Sequence, residues 1–405
     1  MARKSYNQVR DEVTQMFVKA IEEDTPPWRQ PWAPGGNMGM PRNFHSKRRY
    51  SGINPLLLIW TAMAEGYDSC NWGTFDSWKK YLGAQVRKGE KATHVIFFHF
   101  VEKRDKETGA VEMDGNGRPK TFPIMKQFPV FNADQVKAPD VDVLLDGTCK
   151  AGKWGSFVRA MLTPDSTAAR TKETTVEELQ QLADKFVPKA MMPDGELTRE
   201  QLAQLIHDGI EANLAKHRAI MVERNDDPDF GPAEQLIAKS GAKIRHGGNK
   251  AAYSPTKDSI KLPPKRSFDT MSNYYETAFH ELVHWTKQKD RMNRNSDSYA
   301  FEELVAEIGA CFLMMELGVP MSLQMTDHSK SYVKSWLQGM KASGDDGDGS
   351  KFIFDASTQA GKAVDYLLTF VGKENPVYEE EEAPKLKKKR TTKRTTKRTS
   401  NRKVA

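Results

Sequence analysis

Read by the spacing of its apolar residues, the chain breaks into helices and strands of recognisable period. Val9, Val13, Met16, Phe17, Ala20 and Ile21 recur at helical spacing and predict an amphipathic helix over 5–23, stopped by Pro26-Pro27. Asn54-Pro55-Leu-Leu-Leu-Ile-Trp60 opens a second helix, and a third element surrounds Trp72, Phe75, Trp78 and Tyr81. Thr93 to Val101 reads as a strand, Glu107 to Lys120 as a polar hairpin connection, and Phe128 to Asn132 as the returning strand. From 140 to 230 the pattern weakens. Short helices begin at Val176 and after Thr198, a suitable N-cap, within what reads as a linker or insertion.

The pattern sharpens again after Gly231. A helix ends at Gly241, Ala242–His246 is a short strand, and 252–254 pairs with 259–262 around Pro255-Thr-Lys-Asp258. Tyr274, Tyr275, Phe279, Leu282 and Val283 give the next helix an apolar side, with Asn273 and Glu276 as its capping box. Phe301 to Met315 is a second, mostly apolar helix; helices over 329–337 and 352–368 follow. Short strands interleaved with segregated helices make this an α+β chain. The expected units are 1–138, a linker over 139–230, 231–374, and a tail over 375–405.

Charge adds to this picture. The formal net charge is +7, but residues 1–134 hold 20 Lys/Arg against 15 Asp/Glu, and 385–405 hold 11 Lys/Arg and no acid, which leaves −9 for the 250 residues between. Nucleic-acid contact is therefore expected at the ends. The Thr-Thr-Lys-Arg repeats of the tail carry too little apolar content to fold. Five of the eight tryptophans lie before residue 134, interleaved with cations. That mixture suits single-stranded nucleic acid, with rings stacking on bases and cations following phosphates, and equally suits a tryptophan-rich core under a solvated surface. No run of about 18 apolar residues occurs, so no membrane partner is expected. Three widely spaced cysteines and an N-terminus without an apolar core fit a cytoplasmic protein.

The strongest chemical signal is His280-Glu281-Leu-Val-His284 inside the predicted apolar helix. Residues four apart share a helix face, so both imidazoles can address one divalent ion. Glu281 then stands where a carboxylate can deprotonate a water on that ion. A carboxylate in an apolar helix is costly to bury unless paired or bound to metal, which makes Glu303 the expected third ligand and Glu307 a carboxylate orienting a ligand imidazole. Two histidines and a carboxylate suit Zn2+, and also Mn2+ or Co2+. Tyr299 or His246 could stabilise an oxyanion.

With these residues assembled, the chain resembles the ArdC-type antirestriction proteins of plasmids and phages. The resemblance rests on Pro27-Trp28-Arg29-Gln-Pro-Trp32, Tyr50-Ser-Gly52-Ile53-Asn54, Val86-Arg87-Lys88-Gly89-Glu90-Lys91 and Val130-Phe131-Asn132. It continues through Ile244-Arg-His246-Gly247-Gly248, the His280–Thr286 stretch, Arg291-Met-Asn-Arg294 and Tyr299 to Glu307. It implies a single-stranded-DNA-binding domain followed by a zincin-like metallopeptidase domain, and protection of incoming DNA from host defence. A host restriction or defence protein would be the peptide substrate. The alternative is a DNA-coating protein whose metal site is structural or vestigial. Segment 140–230 is longer than the family's usual join, and the basic tail is an addition. Arg29, Arg48, Arg49, Arg87, Lys88 and Lys91 are the expected phosphate contacts, and Trp32 and Tyr50 the expected stacking rings.

Overall fold

The computed structural model describes residues 6–26, 28–29, 36–37, 39–105, 108–115, 119–146, 161–162, 173–218, 222–223, 230–294, 298–321, 327–341 and 349–376. Trp32 and the basic tail lie outside these. Helices and small sheets alternate in blocks, as the α+β pattern anticipates.

The first block carries a four-stranded sheet in the order Arg42–Asn43, Asn71–Gly73, Thr121–Asn132, Thr93–Glu102. Its long antiparallel hairpin pairs Thr93 with Val130 and Glu102 with Thr121, so the returning strand starts well before the expected Phe128. Helix Asn54–Glu65 is tied to this hairpin by one side chain. The Asn54 amide accepts from the Ile96 N–H at 2.7 Å and donates to the Ile96 carbonyl at 2.8 Å, satisfying a buried backbone unit.

The segment expected as a linker or insertion packs into this block. Helices Val176–Phe186 and Arg199–Arg218 each carry an apolar stripe, Leu179, Leu182 and Phe186 on one and Leu202, Ile206, Ile210 and Leu214 on the other. The stripes share a core with Trp78, Ala133, Val136 and Leu144. Thr198 does close a capping box with Gln201 (3.2 and 2.8 Å). The helix behind it runs 20 residues, long enough to span the sheet block and lend its His217 carbonyl to Asn71 Nδ2 at 2.9 Å.

The second block holds a three-stranded sheet, Ala252–Ser254 antiparallel to Ser259–Leu262, which is parallel to Lys243–His246. Against it stand helices Met271–Trp285, Tyr299–Leu317, Asp327–Lys341 and Gly349–Thr369. The first two cross closely because residue 309 is glycine. A Cβ there would meet Val283 Cγ2 at 2.8 Å, inside any tolerable contact. Helix Tyr6–Glu22 belongs to this second core and not to the first: Phe17, Val18, Ile21 and Trp28 pack among its helices, with Trp28 edge-on to Trp336 at 6.1 Å. The first segment of the chain therefore packs among the helices of the second block.

Candidate metal centre

Helix Met271–Trp285 is capped by Thr270, whose hydroxyl accepts from the Asn273 N–H at 3.2 Å; Asn273, expected as the cap, is already helical. Ten of this helix's residues are buried, His280 and Glu281 among them, and this rigid burial fixes the direction of the imidazoles. The facing helix Tyr299–Leu317 starts at Ser298, which accepts from the Phe301 N–H at 3.2 Å, and is buried from Phe301 to its end at Gly318 (φ 74°).

Where the helices face each other, His280 Nε2 lies 3.1 Å from His284 Nε2 and 3.2 Å from Glu303 Oε2. His284 Nε2 lies 3.5 Å from the other Glu303 oxygen. One ligand atom from each of the three residues falls within 4.8 Å of the rest. Two imidazole nitrogens face each other beside a buried carboxylate, so one carries a hydrogen and donates to the other, or both turn their lone pairs on a bound metal. The donor set, two nitrogens and one carboxylate oxygen, fits a divalent ion with coordination positions to spare. Burial opposes a charge on His284, but hydrogen bonds to Glu302 and Glu303 outweigh it and push the imidazole up to about 9. The pocket is thus set up to hold positive charge.

The carboxylate that orients His284 is Glu302. Its Oε1 sits 3.2 Å from His284 Nδ1, and Arg294 donates to its two oxygens at 3.0 and 3.1 Å. Arg294 is anchored in turn on the Val283 carbonyl at 2.8 Å. Burial would raise the Glu302 carboxyl, yet the His284 hydrogen bond and the Arg294 charge hold it below its usual range. The sequence signal was present in two adjacent glutamates, 302 and 303, within a mostly apolar helix, and in the nearby Arg294.

Glu307, expected on an imidazole, is instead bound by Arg29, which donates to its Oε1 from Nε at 3.1 Å and Nη2 at 2.8 Å. The same Nη2 also donates to Glu276. One turn further along the helix, Glu307 points to the place where the chain's first segment inserts. Arg29 is fully buried, so this expected phosphate contact is a core ion-pair residue. Burial disfavours its charge, but Glu307 and Glu276 more than compensate and raise it. Glu276 is raised by burial against the pull of Arg29.

Glu281, His280 and His284 open onto a cavity of about 500 Å3, bordered by Tyr253, Tyr299 and Lys287. Tyr299 is 68% exposed at its edge, with its hydroxyl 3.1 Å from that of Tyr332; hydrogen bonds to Tyr332 and Glu303 with partial burial raise that hydroxyl, which keeps it a donor. His246 does not border this cavity. Its Nε2 lies 3.0 Å from the Tyr274 hydroxyl, on the far side of the helix start.

The remaining expected DNA contacts divide. Arg49 is buried and bonds Asp365 at 2.7 Å and the Lys373 carbonyl at 3.1 Å, pinning its loop to the second block, so it too is withdrawn from phosphate. Tyr50 is half-buried beside Leu58, Ala62 and Trp72, and burial raises its hydroxyl. Arg48, Lys88 and Lys91 are exposed, as is Arg87, which bonds Glu90 at 3.0 Å.

Comparison with known proteins follows the same division. Residues 231–359 match a family model described as zincin-like metallopeptidase, and residues 7–131 one described as the N-terminal domain of anti-restriction factor ArdC. A metal-free crystal structure of the antirestriction ArdC protein from plasmid R388 is 31% identical, with a TM-score of 0.57, covering 90% of this chain and 98% of that one. The Mn(II)-bound form gives 30% and 0.54, over 91% and 99%. Escherichia coli DNA primase TraC is 30% identical over 90% of this chain, which spans only 27% of that protein's length. An uncharacterised Sinorhizobium fredii protein is 25% identical over 89% of this chain and 91% of its own. Among the described residues no helix is long and apolar enough to cross a membrane.

Proposed function

Since the chain belongs to the ArdC antirestriction family, we propose that it is a metal-dependent peptidase joined to a single-strand-binding segment, acting to protect incoming DNA. The observation that carries the peptidase reading is the convergence of His280, His284 and Glu303 beside Glu281 in an accessible cavity. A divalent ion held there, zinc or the manganese found in the R388 relative, would polarise a peptide carbonyl and acidify a water. The chain's own groups do the rest. Glu281 takes the proton of the attacking water and returns it to the departing amine. Tyr299 donates its hydroxyl to the oxyanion as the carbonyl becomes tetrahedral. Strand Ala252–Ser254 is an edge of its sheet and borders the cavity, so an extended peptide can add to it and lie across the ligands.

The DNA reading draws support from exposed groups of the first block. Arg48, Arg87, Lys88 and Lys91 are solvent-facing. Phe97 and Phe128 are 44% and 41% exposed, with ring centroids 5.5 Å apart. Val95 pairs with Phe128 and Phe97 with Lys126, so the alternation of strands sets both rings and Lys126 on one face. Rings and cations on one face are the elements of a stacking platform for single strands. Two measurements test the proposal. Chelator-stripped protein should take up one equivalent of Zn2+ or Mn2+ and cleave peptides only when loaded. The full chain should bind single-stranded oligonucleotides more tightly than duplexes of the same length. Failure of metal uptake sinks the peptidase half, and equal binding of both DNA forms sinks the other.

A further inference from the structure

A second cavity, of about 470 Å3, adjoins the metal cavity, and Ala251, His280 and Glu281 border both. Its size is that of a pocket for a ligand or a large side chain. Glu276 and Glu307 also border it. Glu276 stands four residues before His280 on one helix and Glu307 four after Glu303 on the next, so each lies one helical turn, about 5.4 Å, from a metal ligand. Both are buried, at 5% and 2% exposure. The guanidinium of Arg29 bridges them from inside the core. Two carboxyl groups thus share one fixed guanidinium, Arg29. Apolar Pro263, Phe268 and Ala251 border the same space, with exposed Lys250 among them.

A buried trio of two carboxyl groups and one guanidinium contributes little to stability compared with apolar packing of similar volume. Its position beside the reacting centre, open to a cavity, gives it a different use. We infer that this cavity is the side-chain pocket for a lysine or arginine flanking the cleaved bond of a peptide substrate. The aliphatic stem of such a side chain would lie along Phe268 and Pro263 while its charged end meets Glu276 and Glu307. The cation then gives the two carboxyl groups a second positive partner beside Arg29. An acidic side chain at that position is excluded by the same two carboxylates. The inference rests on the peptidase reading and narrows its substrates to basic peptide segments.

The test is cleavage of a mixed peptide library by the metal-loaded full chain, with cut sites read by mass spectrometry. Lysine and arginine should be enriched at one of the two residues flanking the cut. Replacing that lysine by norleucine, which keeps the stem and removes the charge, should lower kcat/KM at least about tenfold. Glu276→Gln should bring the lysine-to-norleucine ratio towards one, an internal comparison that does not depend on how much active protein the variant yields. Cleavage with no preference for a basic residue overturns the pocket and leaves the peptidase standing. No cleavage of any library peptide by protein carrying its ion overturns the peptidase reading and the pocket with it.

Discussion

Glu302 offers the sharpest perturbation of the site without touching a ligand. It accepts from Arg294 at 3.0 and 3.1 Å and holds His284 Nδ1 at 3.2 Å, which leaves Nε2 to face His280 and Glu303, where the ion is proposed. Glu302→Ala removes both partners at once. Arg294, only 8% exposed, would be left as a buried cation without its carboxylate, a loss of roughly 3–5 kcal/mol. The freed imidazole would also lose its fixed orientation, which at other metal centres lowers affinity about 10–100-fold. Glu302→Gln separates the two effects. The amide oxygen can still accept from His284, but the negative charge that strengthens that imidazole's basicity is gone. The expected result is a fall of about tenfold in metal affinity, or ~1.4 kcal/mol, measured by competition against a chromogenic chelator. Urea unfolding of the metal-free protein reports the stability part. An affinity for Glu302→Gln within twofold of wild type would refute the claim that Glu302 tunes the ligand.

Three further outcomes are expected. His284, raised to about 9 from an ordinary 6.5 in the metal-free site, stabilises the fold fully below pH 6.5, and that contribution is lost as pH rises through 9. Apparent metal affinity should climb roughly tenfold per pH unit over the same window and level off above it, because the ion displaces the proton; a flat profile measured by chelator competition would contradict this. Arg29→Ala should destabilise by about 3–5 kcal/mol in chemical unfolding, since it strands Glu276 and Glu307, yet leave the single-strand affinity of the folded fraction unchanged; a selective loss of DNA binding would restore Arg29 to the interface. Phe97→Ala should weaken binding to single strands by about 1–3 kcal/mol in fluorescence anisotropy with little change in salt slope, and an unchanged affinity would remove the hairpin face from the DNA path.

How far the site was legible from sequence depended on which physical rule applied. Helical periodicity alone sets His280 and His284 on one face, and the cost of burying a carboxylate singles out the helix that carries Glu303. That cost applies equally to Glu302, Glu303 and Glu307, so it could not apportion them. Their partners, Arg294 eight residues away and Arg29 more than two hundred and fifty away, are set by tertiary packing. The misplacement of Arg29 and Arg49 has the same root. A cation among tryptophans or tyrosines has one composition whether it faces solvent or a buried acid, and here the acids, Glu276, Glu307, Glu316 and Asp365, come from the other half of the chain. Segment 176–218 read as a linker or insertion because periodicity within its helices does not say what their apolar stripes face; in the fold the stripes find Trp78 and Val136.

The proposed role of Glu281 is proton transfer beside an ion that it does not hold. Its direct test is Glu281→Gln, assayed for metal content and for peptide cleavage in the same preparation. One equivalent of metal is expected in both wild type and variant, with cleavage by the wild type and a fall of at least about a hundredfold in the variant. Equal cleavage by the two proteins, or loss of the ion from the variant, would contradict it.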